Sequence, residues 1–122
     1  MSLIKSVKVP EYPISVHSYG NKMYAGQHSS CDLLRYDLHV GLSGGEVLVK
    51  GASRVTSVQV YNEELYAWFA QNDRVNVYDM TGILKRSWKH SCLSKDYNKL
   101  RVVSDKVVVS SAQDQALTVY DL

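Results

Sequence analysis

The sequence predicts an all-β fold built from three repeats, each expected to form one sheet. Two observations carry this prediction. A Tyr-Asp pair occurs at residues 36–37, 78–79 and 120–121, so successive pairs are 42 residues apart. Counted back from these pairs, residues 14–38, 56–80 and 98–122 align without a gap, and seven positions are identical between the first two copies. A period in the forties is typical of repeats that each form one blade of a β-propeller.

Each copy contains short segments with the composition of β-strands. The first segments read ISVHS, TSVQV and NKLRVV, and the second read MYAGQ, LYAWFA and VVVSSA. They are rich in β-branched and aromatic residues, too short for helices, and separated by the turn-prone GNK, NEE and SDK. The third segments are LLRYDL, VNVYDM and ALTVYDL, and EVLVK and ILKRSWKH follow as fourth strands. Each complete repeat is therefore predicted to contain four strands.

The beginning of the chain is in register with the fourth strands. Residues 1–10 align with residues 43–52 and 85–94. The predicted organisation is therefore an outer closing strand over residues 1–13, a first blade over 14–55, a second over 56–97 and an incomplete third over 98–122. Alternatively, residues 1–10 form an unattached tail, which the mixed alternation of polar and apolar residues does not exclude.

Three blades cannot close a ring, because closed propellers use roughly four to eight. An isolated arc would also leave the apolar faces of its first and last blades in water. In one solution, two copies form a six-bladed ring, and each N-terminal strand completes the third blade of the other copy. In the other, the chain is a piece of a larger propeller. The strand register favours the half-propeller that forms a homodimer.

Residues 57–90 resemble a WD-repeat blade, with a strand hairpin, an aromatic-Asp pair closing the third strand, and an outer strand. In that family a His, a Ser or Thr, and an aromatic residue form a hydrogen-bonded structural set near a turn Asp. The matching positions here are His90, Ser110, Tyr120 and Asp114. The turn after Tyr78 is also similar to NHL-repeat propellers. The WD resemblance implies a scaffold that binds proteins or peptides on its faces and has no chemistry of its own.

No arrangement of residues predicts catalysis, a cofactor or a metal. Aspartates recur once per repeat, at Asp37, Asp79 and Asp121, which favours an architectural role in accepting backbone N–H groups at strand ends. His28 with Cys31 and His90 with Cys92 have the spacing of metal ligands but fall in different parts of the repeat. The glycines lack the spacing of phosphate-binding loops. We therefore expect no enzyme.

Aromatic composition indicates where a protein partner would bind. Nine tyrosines and two tryptophans stand against one phenylalanine, and Tyr and Trp suit surfaces that are half apolar and half wet. Tyrosines that recur with the repeat are expected between blades. The partner-contact candidates are the less repetitive Tyr12, Trp68 and Tyr97, together with Asn72, Asp73 and Arg74 in a strand connector. The alternative is a propeller that recognises carbohydrate or single-stranded RNA at repeated sites between blades.

Charge and hydropathy exclude other classes of partner. Fourteen basic against twelve acidic residues leave a net charge of +2, without the excess that nucleic-acid and membrane-surface binders need. Basic residues near aromatic ones, such as Arg101 and Tyr97, are interleaved with acids, which favours a solvated face. No apolar run approaches the ~18 residues of a membrane span, and the first residues lack a signal-peptide core. We therefore expect a cytoplasmic or nuclear protein.

Overall fold

The structure is a computed structural model that describes residues 13–27, 32–37, 43–50, 55–69, 73–90, 99–111 and 115–121. Within these ranges the chain forms eleven strands in three antiparallel sheets and no helix. The first sheet contains β1 (Pro13–Tyr19), β2 (Lys22–Gln27), β3 (Asp32–Asp37) and β4 (Ser43–Lys50). The second contains β5 (Val55–Tyr61), β6 (Glu64–Phe69), β7 (Arg74–Tyr78) and β8 (Leu84–Lys89). The third contains β9 (Lys99–Val103), β10 (Lys106–Ser111) and β11 (Ala116–Asp121).

In every sheet the strands are hydrogen-bonded in the order in which they occur along the chain. Tight hairpins connect the first two strands of each sheet, at the positions where the sequence predicts turns. Both central residues have positive φ in the second hairpin (Asn62 and Glu63) and in the third (Ser104 and Asp105). This conformation matches the right-handed twist of the flanking strands, so it favours a two-residue connection.

The sheets pack face to face, and the second sheet is covered on both sides. All residues from Leu65 to Phe69 on β6 are buried. Leu65, Ala67 and Phe69 belong to a core cluster shared with the first sheet, while Tyr66 and Trp68 belong to a cluster shared with the third. A strand with two covered faces has no need of polar alternation, which explains the nearly continuous apolar run in this segment.

The first strands of the three sheets lie side by side. β5 lies against β1 and β2, and β9 lies against β5 and β6. The later strands of each sheet follow outward, with β4 and β8 at the outer edges of the first two sheets. This is the arrangement of propeller blades, so the predicted all-β blade architecture is confirmed. The predicted closing strand over residues 1–13 lies outside the described residues except for Pro13.

Candidate interaction site on the third sheet

Side chains of the second sheet bond to the backbone of the third. On β5, the Gln59 amide accepts a hydrogen bond from the Val102 N–H at 2.9 Å and donates one to the Val102 carbonyl at 3.0 Å. Ser57 Oγ accepts from the Leu100 N–H at 3.0 Å. Tyr61 extends the series with bonds between its hydroxyl and the Asp105 N–H and carboxylate. We call Ser57, Gln59 and Tyr61 the polar ladder.

The polar ladder completes the hydrogen bonding of β9. One edge of β9 pairs with β10, and the opposite edge faces β5. Leu100 and Val102 are buried, as are Ser57 and Gln59. Buried backbone groups without partners are costly, and strand edges present rows of them. The ladder therefore joins the two sheets by giving hydrogen-bond partners to backbone groups on the edge of β9 that faces away from β10. An apolar contact could not supply these partners.

The opposite face of the third sheet lies away from the second sheet. The register aligns Lys99 with Ser110 and Leu117, and Arg101 with Val108 and Val119. We call this surface the junction face; it comprises Lys99, Arg101, Val103, Val108, Ser110, Leu117 and Val119. Leu117 and Val119 are 72% and 58% exposed. The residues that stand one repeat earlier form the side of the second sheet that packs on the third. The junction face is therefore the surface on which a further blade would pack.

A groove of about 400 Å³ separates the junction face from Val16 on β1. Lys99 and Arg101 contribute cations to its lining, Ser57 and Ser110 contribute hydroxyl groups, and no carboxylate belongs to the part of the lining that is described. Partial burial and the positive charge of Arg101 lower the pKa of His17. The imidazole is therefore neutral near pH 7, and the groove's positive charge comes from the lysine and the arginine.

The outer edge of β11 has no strand on it among those the structure describes. β3 and β7, its counterparts in the other sheets, are each covered by a fourth strand. Among the described strands, β11 pairs with β10 alone, and Lys106 and Asp121 form an ion pair across the two strands. An open edge presents unpaired N–H and C=O groups to any extended segment that approaches. The open edge of β11 and the junction face therefore occupy the same sheet.

The structural set implied by the WD resemblance is brought together in part. The Nδ1 atom of His90 lies 2.6 Å from the Tyr120 hydroxyl, and the buried His90 ring also makes edge contacts with Tyr120 and Trp68. Ser110 lies elsewhere, since its Oγ accepts from the Lys99 N–H at 3.3 Å on the junction face. Alternation along β10 and β11 directs Ser110 and Tyr120 to opposite faces of the sheet. Asp114 lies outside the described residues.

The three repeat aspartates make two kinds of contact. Asp79 accepts hydrogen bonds from the Thr81 N–H, the Thr81 hydroxyl and the Ile83 N–H, and these bonds, the Thr81 hydroxyl first, lower the pKa of its carboxyl. Asp37 bonds to Lys22, and Asp121 bonds to Lys106 across the equivalent strand pair. The second repeat has Glu64 at the lysine position. Asp79 therefore caps the turn between β7 and β8, and the other two link neighbouring strands.

The partner-contact candidates are dispersed. Trp68 is fully buried between the second and third sheets, so its side chain offers no surface to a partner in this conformation. Arg74 donates to Ser87 Oγ at 2.7 Å, and the carbonyl of Asp73 accepts from the His90 N–H at 2.7 Å. Tyr12, Asn72 and Tyr97 lie outside the described residues.

Sequence reasoning missed the ladder and the junction face. From the sequence, Arg101 is expected only in a mixed, solvated basic surface, whereas the structure places Lys99 and Arg101 together on the junction face. Aligning the third copy with the second, residue by residue, would have revealed them, because Lys99 and Arg101 stand where Ser57 and Gln59 stand one period earlier.

The described ranges contain no cluster of three or more His, Cys, Asp or Glu residues able to hold a metal ion. His28, Cys31 and Cys92 lie outside these ranges. A separate search of the same ranges finds no helix with the length and apolar character needed to cross a membrane.

No protein-family model matches the sequence, and no curated protein matches it. Several solved structures share the fold. The computationally designed protein Ika4 superposes with a TM-score of 0.58 at 14% identity, covering 100% of this chain and 98% of that chain. The designed protein Ika8 gives 0.54 at 13% identity, over 90% of this chain and 46% of that one. Apo AztD from Citrobacter koseri gives 0.54 at 10% identity, over 90% and 44%.

These similarities concern the fold alone, since the identities are low. This chain spans nearly the whole of Ika4 and less than half the length of Ika8 and AztD. Together, the shared fold, the sheet order and the packing of the first strands against one another define the chain as a β-propeller-type repeat protein. The fold does not assign it to the WD-repeat family or to any other.

Proposed function

We propose that the chain is a non-enzymatic protein-interaction module of WD-repeat type, which binds a protein or peptide partner through its third sheet. The observation that carries this proposal is that no strand among those described covers the outer edge of β11, the strand that contains the exposed Leu117 and Val119. Binding by strand addition uses these two elements: backbone groups at a sheet edge supply affinity, and alternate side chains supply specificity.

The extended segment that fits this edge is the N-terminal segment of a second copy. Residues 1–10 share the repeat position of residues 43–52 and 85–94. In the structure those ranges contain all of β4 and most of β8, the strands that cover β3 and β7. By the same register, residues 1–10 of one copy would cover β11 of another. Two copies exchanging these segments would form a six-bladed ring.

A propeller that binds carbohydrate or single-stranded RNA at repeated sites between blades is less well supported. Such sites need polar groups that are free to meet a ligand. At the junction between the second and third sheets, Ser57 and Gln59 are buried and already bonded to the backbone of β9. The polar groups of that junction therefore hold the sheets together.

The proposal is tested by size-exclusion chromatography with light scattering. We expect the full chain to have twice its own mass, and a variant lacking residues 1–10 to have the mass of one chain. A synthetic peptide of residues 1–12 should bind the truncated variant at one peptide per chain, whereas a scrambled peptide of identical composition should not. Should truncation aggregate the protein, Val7→Pro removes one backbone donor from the intact segment and should also weaken association.

Two results would contradict the proposal. An unchanged mass and melting temperature after truncation would show that residues 1–10 do not complete a blade. A full chain that remains a monomer at all concentrations would rule out the homodimer and favour a piece of a larger propeller.

A further inference from the structure

The third repeat has different chemistry at the ladder positions. One period after Ser57, Gln59 and Tyr61 stand Lys99, Arg101 and Val103, and all three are exposed. The first repeat has Ser15, His17 and Tyr19 there, so only the third carries two cations. This difference concerns the side chains that would meet the first strand of the next blade.

A lysine and an arginine cannot reproduce the bonding of a serine and a glutamine. A hydroxyl and an amide each donate and accept, so Gln59 satisfies both the N–H and the carbonyl of Val102. Ammonium and guanidinium groups donate only. Lys99 and Arg101 can therefore satisfy the carbonyls of a facing strand and leave its N–H groups without a partner from the ladder.

The strand that fits this position is β1 of a second copy. Within the chain, the first strand of the third sheet lies on the ladder of the second. β1 is an end strand of its sheet: it pairs with β2, and β5 of the second sheet lies against it. Val16 on β1 occupies the repeat position of Val58 and Leu100; it is 60% exposed, whereas they are 4% and 3% exposed. The side of β1 that contains Val16 is therefore left largely uncovered by the strands that the structure describes.

We infer that the junction face receives β1 of a second copy, with Lys99 and Arg101 against the backbone of Val16 and Ser18, and that this junction is where the ring separates. The inference rests on the proposed pairing of two copies. Within the chain, an apolar cluster holds each junction and the polar ladder adds hydrogen bonds at the second one, while the junction between copies would have half of the ladder's hydrogen bonds. A ring with these junctions dissociates into intact three-blade units before the units unfold.

The test gives the third repeat the ladder residues of the second repeat. Lys99→Ser with Arg101→Gln restores groups that both donate and accept, and analytical ultracentrifugation measures the dissociation constant of the dimer. We expect the double variant to associate about tenfold more tightly or better, from two recovered hydrogen bonds. Lys50→Ser with Lys89→Gln removes the same charge from exposed positions outside the junction and should change the constant by less than about twofold.

A second variant tests the other side of the junction. Val16→Lys places a third cation against Lys99 and Arg101, so it should weaken association at least tenfold while the melting temperature of the separated chain changes little. Unchanged or weaker association of the Lys99→Ser, Arg101→Gln variant, or normal association of Val16→Lys, would overturn the inference. If either result is found and truncation of residues 1–10 still dissociates the dimer, the proposed strand exchange is retained and only the inference about this junction is wrong. A full chain that is monomeric would instead contradict the proposed pairing of two copies.

Discussion

Replacing Gln59 with methionine tests whether the polar ladder stabilises the fold. Methionine has nearly the length of glutamine, so the packing around the site changes little. The change removes the 2.9 Å and 3.0 Å bonds to Val102 and leaves a buried N–H and a buried carbonyl without their partner. Each unsatisfied buried group costs about 1–3 kcal/mol. We expect Gln59→Met to lower the free energy of unfolding by about 2–4 kcal/mol.

The measurement is urea unfolding followed by tryptophan fluorescence, at one fixed protein concentration so that association does not contribute. For a chain of this size, the same loss corresponds to a melting temperature about 8–16 °C lower. Tyr61→Phe is the matched control, because its hydroxyl bonds to Asp105 at an exposed position. That variant should lose less than about 1 kcal/mol. If Gln59→Met costs no more than Tyr61→Phe, with equal denaturant slopes, the ladder does not hold the sheets together.

Three further changes probe single contacts. Tyr120→Phe removes the 2.6 Å contact to the buried His90 and should cost about 1–2 kcal/mol in the same unfolding assay; an unchanged midpoint would contradict a structural role for the pair. Gly26→Ala would place a Cβ 2.5 Å from the carbonyl oxygen of Val55, so about 1–3 kcal/mol should be lost, and a neutral result would mean that the first two sheets can shift apart. Hydrogen bonds from two cations on β8 lower the pKa of Glu64 to about 2, so its contribution is present above pH 4.5 and is lost as the pH falls toward 2. Because these cations are nearly half exposed, the loss should be about 1 kcal/mol or less, and Glu64→Gln, followed by thermal melting against pH, should abolish it.

Much of the fold could be predicted from the sequence because the signals involved are local. The spacing of the Tyr-Asp pairs gave the period, and the turn residues around Asn62 and Ser104 marked hairpins that the structure contains. β-branched and aromatic segments between these turns have few alternatives to strands. Each of these signals depends on residues that are close together along the chain.

The candidate site was harder to predict from the sequence than the fold was, as Trp68 and Ser110 illustrate. Trp68 has the size and chemistry of an interface residue, yet two sheets bury it. Ser110 matches a position of the family's structural set, yet its strand directs it to the face opposite Tyr120. Residue type alone does not distinguish a surface that meets another sheet of the same chain from one that meets a partner.

By itself, the sequence determined the three repeats, the strands within them and the alternation that divides every sheet into two faces. Only the tertiary structure decided which faces are covered and that the face containing Leu117 is exposed. It also decided that the Gln59 side chain forms hydrogen bonds with the backbone of a strand 43 residues away. The physical reason is that strand formation follows from turns and side-chain alternation over a few residues. The burial of a face and the pairing of an edge depend instead on which sheet lies opposite.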